Sequence, residues 1–96
     1  MSSASRRPIW GLGFSPQADG LLQRCLAAGL IDGIAVSGSD PSALALLQQQ
    51  WSEASAFIAV GACGLMTRLV APLLRDKHRD PAVVVLDPQG RFAIPL

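Results

Sequence analysis

Charge is scarce in this chain: 16% of its 96 residues are Asp, Glu, Lys or Arg, and the formal net charge is +1. A balance so near neutral excludes the broad electrostatic pull that draws a protein to nucleic acid or to an anionic membrane. Cysteine is also scarce. Cys25 and Cys63 are too few for a disulfide framework and lack the spacing of metal ligands, which fits a reducing compartment, the cytoplasm. The one histidine, His78, stands in a charged run without a second ligand, so it reads as solvated and no metal site is expected. No run approaches the ~18 apolar residues that a membrane helix needs. The longest helical apolar stretch, 64–74, contains Arg68 and Pro72. The polar start at 1–7 has no apolar stretch behind it before Pro8 and does not read as a secretory signal. It reads as a disordered leader ahead of a single domain over 8–96. Gly11-Leu12-Gly13 lacks the third glycine of a dinucleotide fingerprint, and no Gly-Lys-Ser/Thr is present, so nucleotide binding is disfavoured and no cofactor is expected.

Apolar residues, by contrast, make up half of the chain, enough for a core. A domain this small still buries a modest share of its surface and leans on a partner or on further chain. Residues 9–14 read as a strand with interleaved glycines. Ser15-Pro16 then offers an N-cap and a proline whose fixed φ suits the first helical position. Leu21, Leu22, Cys25, Leu26 and Leu30 recur at helical spacing and predict a helix over 16–28, closed by Gly29. A second strand over 32–37 leads to Asp40-Pro41, the same capping device, and to a helix over 41–51 with Leu44, Leu47 and Trp51 inward. A third strand over 55–60 enters Gly61-Ala62-Cys63-Gly64 and a helix reaching about residue 75, with Leu65, Leu69 and Leu73 inward and a kink at Pro72. Residues 76–80 are a charged loop, where Lys77 and Asp80 pair or face water. The run 82–86 is the clearest strand, apolar enough for burial on both faces. Asp87-Pro88-Gln89-Gly90 is a turn into a fifth strand over 91–96, with Asp87 as its Asx cap. The alternation implies a three-layer α/β fold: a mostly parallel open sheet of about five strands with a C-terminal antiparallel hairpin.

In an open α/β sheet, ligands meet the carboxyl ends of the strands, where helix N-termini present unpaired N–H groups. Of the three such ends, Gly61-Ala62-Cys63-Gly64 is the most suggestive, because two glycines admit a close backbone approach. The alternative is a tight strand-to-helix turn and no more. Cys63 at a helix N-terminus has the setting of a nucleophile, or of a small residue packed in a turn. Arg68, one turn into the helix, either snorkels to solvent or points to the cleft as a forked contact for an acidic group. Cys25 has core spacing, and Trp10 and Trp51 read as core anchors. The positive charges cluster at Arg6-Arg7 and at Arg75-Lys77-Arg79 and offer local basicity to an acidic small molecule.

One stretch carries more. The run Gly61-Ala62-Cys63-Gly64-Leu65-Met66-Thr67-Arg68-Leu69-Val70-Ala71-Pro72-Leu73-Leu74 is followed in order by Lys77, Asp80-Pro81-Ala82-Val83-Val84-Val85-Leu86-Asp87, Gly90 and Phe92-Ala93-Ile94-Pro95-Leu96. It resembles the N-terminal region of the CbiG family. The resemblance implies a place in cobalamin (vitamin B12) biosynthesis. Family members open the lactone of cobalt-precorrin-5A with release of acetaldehyde, and similar regions are fused to a precorrin-3B C17-methyltransferase. It implies a cobalt-precorrin tetrapyrrole as ligand, met by Gly61, Ala62, Cys63, Gly64, Arg68, Lys77 and Asp80, with Arg68 and Lys77 on its carboxylate arms. It further implies that the family pattern continues past the fifth strand, into a Ser-Gly-His-x-Gly-Gly-Ala-Asn-type segment and a C-terminal part. Chemistry on the lactone is then expected to need that part, and the catalytic residues stay unassigned. The alternative is a non-catalytic tetrapyrrole-binding or docking module, joined to another corrin-pathway enzyme or to a second copy through the edge strand.

Overall fold

Short apolar strands alternating with short helices assemble in this chain as parallel crossover units. The computed structural model describes residues 7–76 and 78–96. Its elements are β1 (Ile9–Gly13), α1 (Ala18–Ala27), β2 (Gly33–Val36), α2 (Ala43–Gln50), β3 (Ala56–Val60), α3 (Cys63–Val70), a 3₁₀ turn (Ala71–Leu73), β4 (Ala82–Leu86) and β5 (Ala93–Pro95). The sheet order is β2-β1-β3-β4-β5. The first four strands are parallel, and β5 returns antiparallel on β4 with Val85 opposite Ile94.

Strand alternation sends side chains to two faces, and each face finds its helices. Leu12, Ala35, Phe57, Ala59, Val83 and Val85 face α2 and α3, where Leu46, Leu47, Trp51, Met66 and Val70 close the larger core. The rings of Trp51 and Phe57 stack there, 6.0 Å between centroids and 9° between planes. Val60 faces α1 on the other side, with Ala18, Leu22, Cys25 and Ile31. Cys25 is therefore a core residue, as its spacing predicts. The Trp10 ring packs against the larger core, and its buried indole N–H finds no acceptor among the described residues.

The helix ends depart from expectation in informative ways. Helix α1 closes as a Schellman motif: Leu30 N–H donates to the Cys25 carbonyl and Gly29 N–H to that of Leu26, with Gly29 at φ +77°. Leu30, lying past that end, is exposed rather than part of the apolar stripe. The Ser15-Pro16 segment is a turn ahead of the helix, with Ser15 accepting from Gln17 N–H, and α1 begins at Ala18. Before α2 the Asp40–Pro41 bond is cis, and Ser42, not Asp40, is the cap, accepting from Ala45 N–H at 3.1 Å. That two-residue delay rotates the buried stripe, so Leu46 and Leu47 turn inward while Leu44 is exposed. Pro72 does not kink a helix interior; α3 ends at Val70 and tightens into the 3₁₀ turn that holds Pro72 near its start. Strand β4 buries Val83 and Val85 but leaves Val84 and Leu86 half-buried and Ala82 exposed, rather than being buried on both faces, because α1 covers only part of its second face. Strand β5 spans three residues instead of six. The leader expected over 1–7 lies outside the described residues except for Arg7, whose guanidinium donates to the carbonyls of Ser52 and Glu53.

Candidate functional site

Chain order and sheet order part company between β1 and β3. From β1 the chain crosses by α1 to β2 on one side, then by α2 back over β1 to β3 on the other. Loops diverging from neighbouring strand ends leave a crevice at such a switch point. Here it is a groove of about 580 Å³ beyond the carboxyl ends of β1, β3 and β4. The loop after β1 supplies Phe14, Ser15 and Pro16, and the loop after β3 supplies Gly61, Ala62 and Cys63. Leu65, Asp87, Phe92 and Ile94 complete the walls. The last rungs of the ladder hold these loops: Phe14 N–H donates to the Val60 carbonyl at the end of β3, and Gly61 N–H to that of Leu86 at the end of β4.

The glycines of the third loop have different reasons to be there. A Cβ on Gly61 would sit 3.1 Å from the Phe14 Cβ, so this position is glycine because the β1 loop passes so close. A Cβ on Gly64 would meet nothing within 4 Å. Packing gives Gly64 no reason, and a helix start with an open front is where a ligand approaches most closely. Helix α3 also begins without chemical cover. Ala62 stands at the N-cap with no side chain to offer, and the first turn holds no acid. The Met66 N–H donates to the Ala62 carbonyl, while those of Cys63, Gly64 and Leu65 have no acceptor among the described residues. Elsewhere Ser42 caps α2, and Asp19 stands in the first turn of α1. The positive end of α3 is thus the uncompensated one.

Across the groove, Asp87 follows the end of β4. Its Oδ2 accepts from Arg91 Nε at 3.0 Å and from the backbone N–H groups of Gln89 and Arg91. Foremost the Arg91 side-chain hydrogen bond, then the Arg91 N–H and its charge, hold the Asp87 carboxyl below the usual carboxylate range against the opposing effect of burial. The Asx turn read from the sequence is therefore present. Its consequence is a fixed carboxylate on the wall, paired with a guanidinium whose two terminal nitrogens have no partner among the described residues. Arg91 is a residue that sequence reasoning did not single out. The signal was available in its four-residue spacing from Asp87 across a Pro-x-Gly turn.

Of the seven positions read from the sequence, Gly61, Ala62 and Cys63 line the groove, and Gly64 follows them, exposed, in the first turn of α3. Arg68 lies one turn further along α3, exposed and away from the groove lining. Asp80 is at the opposite, amino end of the sheet, ahead of β4. There its Oδ2 accepts from Arg75 N–H at 2.8 Å and Asp76 N–H at 3.0 Å, and its Oδ1 from the Trp51 indole at 3.1 Å. Those bonds, the Arg75 N–H above all, lower its pKa although burial works against them. Lys77 lies outside the described residues. His78 is also at the amino end, within the charged loop, so Cys63 has no imidazole beside it. Among the described residues no group of three or more His, Cys, Asp or Glu is placed to hold a metal, and no helix is long and apolar enough to cross a membrane.

Comparison with known proteins places this architecture. The family described as cobalamin synthesis G N-terminal matches residues 45–96, more than half of the chain. The cobalt-precorrin-5A hydrolase of Salmonella typhimurium is 45% identical over 49 residues, which are 51% of this chain and 14% of that protein. The cobalt-precorrin-5A hydrolase of Priestia megaterium is 39% identical over 49 residues, 51% of this chain and 13% of that protein. The matched segment is therefore a small part of either relative. Among solved structures, a cobalamin biosynthesis protein G homolog from Sulfolobus solfataricus superposes with a TM-score of 0.75 at 23% identity, over 94% of this chain and 29% of the other. That likeness shows the fold, including the first half of the chain. The chain belongs to the cobalamin synthesis G N-terminal family.

Proposed function

We propose that this chain acts in cobalamin biosynthesis as the N-terminal part of a cobalt-precorrin-5A hydrolase-type protein, in the cytoplasm. In this reading the switch-point groove receives one edge of a cobalt-precorrin tetrapyrrole. The observation that carries it is the coincidence of two things in one loop. The family match runs through Gly61-Ala62-Cys63-Gly64, and that loop opens an uncapped helix onto a groove walled by Phe14, Leu65, Phe92 and Ile94. A tetrapyrrole edge presents an apolar ring and carboxylate arms. The apolar walls suit the ring, while the free N–H groups at the α3 start and the Arg91 guanidinium suit an arm. Arg68 and Lys77 stay in the proposal as contacts for arms reaching beyond the groove. Lactone opening is assigned to groups outside this chain, because the groove offers no paired acid and base. A fusion to a precorrin-3B C17-methyltransferase would place the same groove beside a second corrin enzyme. The free thiols of Cys25 and Cys63 support the reducing compartment.

The test is equilibrium titration with cobalt-precorrin-5A, followed by the absorbance of the corrin ring. Saturable binding is expected, weakened about tenfold by Ala62→Asp, which puts a like charge where the arm sits. Binding left unchanged by Ala62→Asp contradicts the placement, and no binding at all contradicts the ligand.

One observation favours a docking role alongside. Strand β5 is a short edge strand flanked by Phe92 at 54% and Leu96 at 50% exposure, an apolar margin suited to a further strand, a neighbouring enzyme or a second copy. Sedimentation of Phe92→Lys against the unchanged chain separates these. Loss of a dimer supports self-association through the edge, and a monomer in both leaves the edge to other chain.

A further inference from the structure

Arg7 and the pair Arg75 and Arg79, far apart in sequence, meet at the end of the sheet opposite the groove. Backbone rungs from Ser55 to Pro8 and from Ala82 to Ser55 align the starts of β1, β3 and β4. They bring Arg7 beside the loop that carries Arg75 and Arg79, around a concavity of about 450 Å³. We propose that this concavity is a second ligand site, for a compact molecule bearing two or more carboxylate or phosphate groups, with Arg7, Arg75 and Arg79 as its anion-binding residues.

The guanidiniums are held at one edge and open at another. Arg7 donates through Nε to the Glu53 carbonyl at 3.0 Å and through Nη2 to the Ser52 carbonyl at 2.6 Å, which leaves Nη1 free. Arg75 donates through Nη1 to the carbonyls of Pro72 and Leu74, at 3.1 and 3.0 Å, which leaves Nε and Nη2. The Arg79 side chain makes no hydrogen bond among the described residues, and none of the three is in an ion pair there. Anchored guanidiniums lose less freedom when they bind, and their forked donors match the oxygens of carboxylate and phosphate.

The one acid lining the concavity is Asp80, and it is turned into the wall. Both of its oxygens are taken, by the Trp51 indole on one side and by the N–H groups of Arg75 and Asp76 on the other. Two nearby acids are also engaged: Asp76 accepts from His78 N–H at 2.9 Å, and Glu53 from the Ser52 hydroxyl at 3.5 Å. Three guanidiniums with N–H groups unused among the described residues thus line a space whose one acid has its oxygens turned to other donors. A concavity of about 450 Å³ is within the range of small-molecule pockets, which fits a compact polyanion. This site lies at the other end of the strands from the groove and does not depend on the tetrapyrrole reading.

The test is a titration of the full chain with inorganic pyrophosphate and, separately, with citrate, at low salt, followed by backbone amide NMR. Saturable shifts are expected at residues 52–53 and 75–80 with a Kd at or below about 1 mM. They weaken with added salt, and about tenfold in Arg79→Gln or Arg75→Gln. Arg79 supports nothing in the fold, so Arg79→Gln separates loss of binding from loss of structure. Arg24→Gln, on α1 away from the site, should bind as the unchanged chain does. Pyrophosphate alone saturating marks a phosphate ligand, and citrate alone a carboxylate one. No saturation by either below about 10 mM overturns the proposal. So does equal weakening by Arg24→Gln, since the effect would then be net charge alone.

Discussion

Asp80 and Asp87 do comparable work at opposite ends of the sheet. Each ionised carboxylate gathers N–H donors from a loop that has little else to hold it, and each is thereby kept below the usual carboxylate range. A depressed native pKa contributes stability above the unfolded value, and that stability is lost as pH falls through the folded one. The chain should therefore hold its melting temperature down to about pH 5 and lose it progressively below about pH 4, near the unfolded carboxylate pKa. Asp80→Asn should melt lower at pH 7 and show a shallower acid limb in thermal melts across that range; an unchanged limb would remove Asp80 from the account. The two glycines of the third loop make a paired test. Gly64→Ala adds a methyl in open space on a helix and should raise stability by up to about 1 kcal/mol. Gly61→Ala forces a contact on Phe14 and should lower it. If Gly64→Ala is stabilising yet weakens tetrapyrrole binding, the glycine serves ligand approach; stabilisation with binding intact returns it to a plain turn residue.

Elements were more legible than their ends. Five strands and three main helices follow from apolar spacing, because alternation and helical period are local facts of the chain. Their boundaries were not. Proline next to a polar residue gives the same signal at a first helical position and in a turn just ahead of it. Only the geometry around Ser15 and Ser42 decides between the two. That is testable at α2, where Ser42→Ala should cost about 1 kcal/mol, a fall of some 4–8 °C in melting temperature. Asp40→Ala should cost much less, and equal losses would restore the sequence-based cap. The candidate site was legible in its central loop, Gly61 to Gly64, because a glycine-bounded strand-to-helix turn is a local pattern. The walls were not. Phe14, Asp87, Phe92 and Ile94 reach the groove through strand order, and a single sequence does not display strand order. Arg68 shows the reverse case: one helical turn from the loop in sequence, it faces solvent because Met66 and Val70 take the buried stripe.

At the scale of the molecule, one sheet serves two cores and two ends. The larger core rests on Phe57, carried by the strand that ends in the groove loop, under Trp51 at the end of α2. Phe57→Ala should cost about 3–5 kcal/mol, enough to unfold a domain of this size, as circular dichroism would report. Family membership is anchored in residues 45–96, while the fold likeness to a solved structure extends over nearly the whole chain, and the first half supplies Phe14, Ser15 and Pro16 to the groove. The proposed function requires that the uncapped third helix meet a carboxylate arm of a cobalt-precorrin. Amide NMR of the chain during titration with cobalt-precorrin-5A tests it most directly. The account predicts saturable shifts centred on Gly61 to Leu65, with Phe14 and Phe92 following. Shifts confined to surfaces away from those residues, or none at saturating ligand, would contradict it.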